Sequence, residues 1–345
     1  MDTLYSLHSQ PLGVLFGDLE RYALQQPEVF TGTAGSVVER QNAGGFRFYA
    51  HQFYDGEGQR RERYLGGPVG SAAVEEQAAA LRQRIEELKR RVPELRLLGR
   101  EGFHTVDAKT HATLASLANH GLFRAGALLI GSHAFGAMAN RLGIRTAVYA
   151  TEDIDIARRG SLAFAKLPAI GFLEMLRESG IHFVEVPDPD RKRPATSFAK
   201  AGRSTFVVDL LVPSRDESFP VVKVPELGAH ATGLPYLGYL LAESQETALL
   251  AREGCCPIRV PVPERYAMHK MIVSQLRTGR QAKAQKDLQQ AAVLAAALAE
   301  LHPGALESAR KELPKRAQKY WKRALPAVVQ LLAKHPRAVE ELQQA

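Results

Sequence analysis

The sequence predicts an α+β fold, and three observations support that prediction. A segment rich in aromatic and β-branched residues, broken by a glycine-bearing acidic turn, occupies residues 31–65 and is typical of a β-meander or hairpin. Helical and strand-like segments alternate between residues 106 and 212. From residue 263 onward, composition and apolar periodicity are those of helices.

The first hundred residues read as one accessory module. Residues 12–24 have the spacing of a short amphipathic helix, and the meander follows it. A long helix is then expected over residues 72–92, with Leu81, Ile85 and Leu88 on one face and charged residues opposite. We therefore predict that residues 1–100 form a helix, a β-hairpin or meander, and a long helix.

The central part, residues 101–262, is predicted to alternate helices and strands. Its expected elements are helices over 106–120, 132–142 and 168–179, and strands over 125–130, 154–157, 181–186 and 205–212. Residues 187–203 have little apolar content and read as an exposed basic loop, usually just solvated, that could alternatively grip an RNA or acceptor phosphate through Arg191, Lys192, Arg193, Lys200 and Arg203.

Residues 263–345 are predicted to form a C-terminal helical domain. The expected helices cover residues 264–277, 282–301 and 304–321, with one or two more before the end of the chain. Borders near residues 100 and 262 would thus divide the chain into three parts.

Composition limits the class of protein. The 345 residues are 45% hydrophobic and 24% charged, as in folded globular proteins, and the net charge of +8 favours an anionic partner or merely a solubilising surface. We expect a cytoplasmic protein without a membrane partner, because neither a leader nor a long apolar span is evident. Cys255 and Cys256 are adjacent, which excludes a disulfide framework or a cysteine-based zinc site.

The most informative pattern is a pair of aspartates two residues apart. Asp153 and Asp155 fall on a predicted strand, so both carboxylates share one face while Ile154 and Ile156 enter the core. Two carboxylates on one face repel each other unless a cation or solvent separates them. Magnesium suits such a site because it prefers oxygen ligands and keeps positions open for phosphate and water.

Two further features point to a nucleotide site. Asp209 lies in an otherwise apolar strand, where an unpaired charge would be costly to bury, so it is expected to join the metal site. Gly131 and Ser132 follow an apolar strand and begin a helix, which offers backbone N–H groups to a phosphate.

These residues resemble the DNA polymerase β-like nucleotidyltransferase superfamily, whose pattern is Gly-Ser, then Asp-x-Asp on a strand, then a third aspartate on a later strand. The resemblance is to a prokaryotic branch distantly similar to abortive-infection toxins. It implies a polymerase β-like core, with Gly131 and Ser132 on the β and γ phosphates. Asp153 and Asp155 would hold two Mg²⁺ ions, with Mn²⁺ as a substitute, and Asp209 one of them. This chain departs from the pattern in placing 20 residues between Ser132 and Asp153.

The C-terminal helices carry a Lys and a Lys-Asp pair similar to those of the toxin-related nucleotidyltransferases. Lys270 is expected to neutralise triphosphate charge as a point charge, while Lys286 and Asp287 brace its helix or the nucleotide. A solvated helix face is an equally good interpretation of Lys270.

The resemblance implies transfer of a nucleoside monophosphate from a nucleoside triphosphate, such as ATP, to an acceptor hydroxyl by a two-metal mechanism. The acceptor is left open between RNA or tRNA, a protein and a small molecule, and a toxin-like role would add an antitoxin partner. The competing interpretation is a catalytically inactive nucleotidyltransferase fold that binds nucleic acid or a protein partner.

Overall fold

Helices and strands alternate along most of the chain in the computed structural model, which describes residues 3–147, 151–190, 192–277 and 279–343. The strands are β1 (Ser6–Leu7), β2 (Ser36–Gln41), β3 (Arg47–Tyr54), β4 (Arg60–Gly66), β5 (Thr105–Val106), β6 (Leu128–Ile130), β7 (Ile144–Arg145), β8 (Asp153–Ala157), β9 (Phe183–Val186), β10 (Ser197–Lys200), β11 (Val207–Pro213), β12 (Val221–Val224), β13 (Ala229–Leu234), β14 (Ser244–Ala251) and β15 (Gly254–Pro261). The helices are α1 (Gln10–Gln25), α2 (Ala72–Arg100), α3 (Ala108–Asn119), α4 (Gly131–Arg141), α5 (Phe172–Arg177), α6 (Leu237–Leu240), α7 (Pro263–Leu276), α8 (Gln281–Leu301), α9 (Ala305–Lys311), α10 (Gln318–Leu331) and α11 (Pro336–Gln343). The predicted α+β class is confirmed.

A mixed sheet in the middle of the chain carries the predicted site. Strand β11 pairs in parallel with β8 along one edge, and β8 pairs antiparallel with β6. Along its other edge, the first half of β11 pairs antiparallel with β10 and its second half pairs in parallel with β13. Strand β9 pairs with β10, and β12 pairs with β13. The apolar residues of β6, β8 and β11 are buried, which places these strands in the hydrophobic core.

The N-terminal meander has the form that the sequence predicts, because β2, β3 and β4 pair antiparallel in order. The long helix does not end at residue 92 as predicted, since α2 continues through Pro93 to Arg100. Leu95 and Leu98 are fully buried, and the burial of these side chains offsets the cost of an internal proline.

The prediction of a loop over residues 187–203 is wrong in its second half. Residues Ser197–Lys200 form β10, which lies between β9 and β11 and buries Phe198 against the core. The prediction failed because this short strand buries only one side chain, Phe198, and leaves the others half-buried, so it carries little apolar pattern. Lys200 is also not free for an acceptor phosphate, since it forms an ion pair with Glu57. Arg191 lies outside the described residues.

The C-terminal helices pack on the same core. Helices α7 and α8 lie against each other, and α10 packs on α7. The single helix predicted over residues 304–321 is instead two helices, α9 and α10, interrupted around Pro314. A proline there cannot donate the backbone hydrogen bond that a continuous helix needs. In the described part of the chain, no helix is both long and apolar enough to cross a membrane.

Candidate active site

The parallel pairing of β8 and β11 places two of the predicted carboxylates side by side. Asp155 is the register partner of Asp209, so their side chains leave the same face of the sheet. Asp153 lies two residues before Asp155 on that face, whereas Ile154 and Ile156 are fully buried on the other. The alternation expected from the sequence is therefore present, and the three aspartates are neighbours.

Gly131 lies directly against this carboxylate pair. Strand β6 ends at Ile130, which is the antiparallel partner of Asp155, and the next residue begins α4. Gly131 has a φ of +69°, and a Cβ atom added there would lie 2.0 Å from Oδ2 of Asp155. Only glycine combines this backbone conformation with room for the carboxylate.

We expect Gly131→Ala to lower any catalysis that depends on the Asp155 carboxylate on the order of a hundredfold, because a displacement of that carboxylate by about 1 Å is enough for such a loss. Gly121→Ala is the matched control, since Gly121 has a similar φ of +74° with no atom within 4 Å of an added Cβ. Equal effects of the two substitutions on kcat would show that backbone strain alone matters.

The start of α4 is held in place by the C-terminal helices. The hydroxyl of Tyr266 on α7 donates to the carbonyl oxygen of Gly131 at 2.7 Å. The amide of Gln290 on α8 donates to the Ser132 hydroxyl at 3.4 Å. Because both partners come from the helical part of the chain, the Gly-Ser turn is positioned by tertiary contacts.

A cluster of cations faces the aspartates across a cleft of about 410 Å³. Its walls include Gly131, Ser132, Asp153 and Asp155 on one side, and Lys270, Arg277, Lys283, Lys286 and Asp287 on the other. The ammonium of Lys270 donates to Oδ1 of Asp287 at 2.6 Å, and Arg277 pairs with Oδ2 of the same carboxylate.

Among the residues that the structure describes, a weak ion pair joins Lys283 to Asp153 across the cleft. The ammonium of Lys283 lies 3.7 Å from Oδ2 of Asp153, and both side chains are about half exposed. Burial lowers the pKa of Lys286, and the positive charge of Lys270 lowers it further. The described lining of the cleft contains four basic side chains, Lys270, Arg277, Lys283 and Lys286, and four carboxylates, Glu152, Asp153, Asp155 and Asp287, so its formal charges balance.

Comparison with known protein families agrees with this geometry. A family model described as Nucleotidyltransferase matches residues 108–314, which is more than half of the chain. The chain belongs to this nucleotidyltransferase family. Its members transfer a nucleotidyl group from a nucleoside triphosphate, generally with divalent metals. No match was found among curated proteins or among solved structures.

The electrostatics of the nucleotidyltransferase site indicate a place for a cation. Burial and the neighbouring Asp209 raise the pKa of Asp155 to about 6, and burial also raises the pKa of Asp209. Burial raises these pKa values despite the nearby cations Lys270 and Lys283, and a hard divalent ion bound through oxygen ligands would favour the ionised carboxylates. The donor set thus fits such an ion.

The carboxylates are not gathered around a single point. Within the ranges that the structure describes, no group of three His, Cys, Asp or Glu side chains is arranged to hold a metal ion. Asp209 accepts a hydrogen bond from the Ser197 hydroxyl and is not among the described residues that line the cleft. Because the Ser197 hydroxyl bonds to Oδ1, Asp209 would share an ion with the other two carboxylates through Oδ2.

Several site residues of this nucleotidyltransferase were not selected from the sequence. Ser197 was assigned to the basic loop, and Arg277 lay at the end of a predicted helix without a motif. Tyr266 and Gln290 act through contacts with α4 that a single sequence does not show. Only Lys283 could have been selected from the sequence. It lies three residues before Lys286, so the two lysines share one face of the helix.

Proposed function

We propose that the chain transfers a nucleoside monophosphate from a nucleoside triphosphate to an acceptor hydroxyl, with Asp153, Asp155 and Asp209 as metal ligands. One observation carries the proposal: Asp155 and Asp209 are register partners on parallel strands, beside a glycine whose missing side chain makes room for the Asp155 carboxylate.

The chain's own residues divide the work of binding and orientation. The N-terminal backbone of α4, from Gly131, and the Ser132 hydroxyl face the cleft and can receive phosphate oxygens. Lys283 and Lys286 add positive charge to the same space. When bound by the aspartates, two Mg²⁺ or Mn²⁺ ions supply the charge that polarises the phosphate and lowers the pKa of the acceptor hydroxyl.

Asp209 is proposed to accept the proton of the acceptor hydroxyl. Asp209 is the register partner of Asp155, so its carboxylate lies beside the proposed metal site, where it could receive that proton. The Ser197 hydroxyl, which now donates to this carboxylate, would fix the orientation of its second oxygen during the transfer.

Lys270 was expected to neutralise triphosphate charge by itself, but in the structure it is part of a charged trio with Arg277 and Asp287. Because Lys270 and Arg277 share the buried Asp287 carboxylate, the net charge of this trio is one positive charge. We propose that Asp287 holds both cations toward the triphosphate, while Lys286, the preceding residue of α8, contacts the triphosphate directly. In this arrangement Asp287 braces the nucleotide site rather than binding nucleotide itself.

The architecture that supports this activity is proposed to be a polymerase β-like core over residues 101–262, preceded by an accessory module and followed by a helical domain. One hydrophobic cluster contains residues on both sides of the border near 262, among them Ile258 and Tyr266. The family match likewise runs across that border. The helical domain would therefore be part of the catalytic unit and not a separate appended domain.

The proposal is tested with each α-labelled nucleoside triphosphate, magnesium, and RNA, tRNA, cell protein or aminoglycosides as acceptors. We expect label transfer that Asp153→Ala and Asp155→Ala abolish, and that Asp18→Ala, an exposed carboxylate on α1, leaves unchanged. The labelled fraction identifies the acceptor class, and a toxin-like role would appear as growth arrest relieved by an antitoxin.

Two results would contradict the proposal. Transfer that survives both substitutions would remove the assigned metal site. A complete lack of transfer to every acceptor would favour a catalytically inactive fold that binds nucleic acid or a partner protein.

A further inference from the structure

The net positive charge of the chain is concentrated near its C terminus. Residues 304–337 contain nine lysines and arginines and two glutamates, which gives this segment a net charge of +7, whereas the whole chain has +8. The remainder of the chain is therefore close to neutral. Charge that is gathered in one segment indicates a surface for an anionic partner more strongly than charge that is spread over the molecule.

Helix α10 and the turn before it expose five of these nine cations. We call them the basic face, which consists of Lys315, Arg316, Lys319, Lys322 and Arg323. Within α10, the three cations lie in an arc of about 100° around the helix axis, as the helical period requires. Trp321 and Val328 are buried on the opposite side. The helix therefore presents one side to the core and a cationic side to solvent.

Few carboxylates neutralise the basic face. The ammonium of Lys319 lies 3.4 Å from Oε1 of Glu217, in a pair whose side chains are about half exposed. The other four cations form no ion pair with any residue that the structure describes. These cations can therefore bind phosphate groups without breaking an existing ion pair.

Two tyrosines hold the start of α10 in position. The hydroxyls of Tyr236 and Tyr320 donate to the two carboxylate oxygens of Glu217, at 2.7 and 2.8 Å. Tyr236 has a φ of 60°, which is uncommon for a residue other than glycine, and this strained backbone is retained where its side chain makes that bond. Lys319 and Arg323 both lie over the ring of Tyr320, at 4.6 and 6.0 Å from its centroid. The cations are thus arranged on a rigid element.

We propose that the basic face binds the phosphodiester backbone of RNA, and that RNA is the acceptor of the transfer reaction. A backbone with a phosphate at every nucleotide can contact several cations on one side of a helix at once, and each contact releases counterions. RNA also carries a hydroxyl on every ribose. The second half of this inference rests on the proposed function, whereas the first half does not.

An anionic membrane is a different polyanion that a basic helix can meet. A helix that lies on a membrane inserts its apolar side among the lipids. In α10 that side, with Trp321 and Val328, is already covered by the core. The basic face begins at residue 315, directly after the region that the nucleotidyltransferase family model matches. These observations favour RNA over a lipid surface.

The test measures binding of a fluorescein-labelled RNA hairpin with a single-stranded 3′ tail, by fluorescence anisotropy over a series of salt concentrations. The logarithm of the association constant of wild type should fall linearly with the logarithm of the salt concentration. The face variant carries Lys322→Gln and Arg323→Gln together. Its line should be less steep by about 1.4–1.8, because each lost phosphate contact removes about 0.7–0.9 from the slope, and its affinity at low salt should be on the order of tenfold lower.

A matched control removes the same charge elsewhere. The α2 variant carries Arg90→Gln and Arg100→Gln, which replace two exposed arginines of α2. Its salt dependence and its affinity for the hairpin should equal those of wild type. Because all four side chains are exposed, both variants should keep the Tm of wild type, which thermal melting checks before the affinities are compared.

The transfer reaction tests whether the bound RNA is the acceptor. With a labelled nucleoside triphosphate and the hairpin as acceptor, the face variant should raise the KM for RNA about tenfold, in line with its loss of phosphate contacts. The KM for the nucleoside triphosphate should stay unchanged, since the basic face is not among the described residues that line the cleft.

The outcomes separate this inference from the proposed function. Equal salt dependence of wild type and the face variant, or equal reductions in the face and α2 variants, would overturn the basic face as an RNA site. Binding to phosphatidylserine vesicles that the face variant loses, while its RNA binding persists, would assign the surface to a membrane instead. RNA binding as expected, with label transferred only to another acceptor, would overturn RNA as the acceptor. RNA binding as expected, with no transfer to any acceptor, would overturn the proposed function and leave the RNA site standing.

Discussion

Asp155→Asn is expected to abolish nucleotidyl transfer while making the metal-free protein more stable. The substitution removes a proposed metal ligand, and metal-ion stabilisation contributes several kcal/mol to such reactions, so kcat should fall on the order of a thousandfold or more. Asparagine has nearly the same shape as aspartate and leaves the space beside Gly131 filled. The loss would therefore report the charge and not the packing.

The gain in stability follows from the raised pKa of Asp155. Its folded-state pKa is about 6, above the ordinary value of 3.8, because the site is buried and lies beside Asp209. Folding therefore favours the protonated form of Asp155. The free energy of unfolding of the metal-free wild type should decrease as pH rises from about 4 to about 6. We expect Asp155→Asn to recover roughly 1 kcal/mol above pH 6, less than the full pKa shift corresponds to, because Asp155 lines a cleft where solvent screens part of the interaction.

Urea unfolding of both proteins in EDTA at pH 4 and pH 7.5 measures this difference. The two free energies of unfolding should be close at pH 4 and should diverge at pH 7.5, with the variant more stable. Asp18→Asn, on the exposed face of α1, controls for a general effect of removing negative charge. A variant less stable than wild type at pH 7.5 would show that the carboxylate has a structural partner.

Local patterns were sufficient to predict how the candidate carboxylates are oriented. The alternation of Asp153, Ile154 and Asp155 fixed which side chains share a face, because the period of a strand is two residues. The Gly-Ser turn could be placed for a related reason, since an apolar strand followed by glycine commonly begins a helix. These features depend on residues within about ten positions of each other.

Features that depend on distant residues could not be predicted in the same way. The strand around Ser197 forms because β9 and β11 hydrogen-bond to both of its edges, although its own composition resembles a loop. The extension of α2 beyond Pro93 depends on a core that receives Leu95 and Leu98. In each case tertiary packing overrides a local preference.

The ion pair between Lys270 and Asp287 also depends on residues from two different helices. The sequence singled out this lysine and Asp287 separately, but it could not show that they meet, since α7 and α8 had to be packed first.

The largest effect on stability is expected from Asp287→Ala. The carboxylate is 2% exposed and is the partner of both Lys270 and Arg277, so its removal leaves buried positive charge without compensation. Breaking a buried pair from one side typically costs about 3–5 kcal/mol. Lys283→Ala is the control, because its pair with Asp153 is exposed and should be worth less than about 1 kcal/mol.

The proposed ligand gives this variant a second, opposite response. A bound triphosphate would supply the negative charge that Asp287→Ala removes, so the rise in Tm on adding tripolyphosphate and magnesium should be larger in the variant than in wild type at ligand saturation. Asp287→Asn, which retains an acceptor for Lys270, should lie between the two. If tripolyphosphate stabilises wild type and Asp287→Ala equally, the anion does not reach Lys270 and Arg277, and their role is confined to joining α7 to α8.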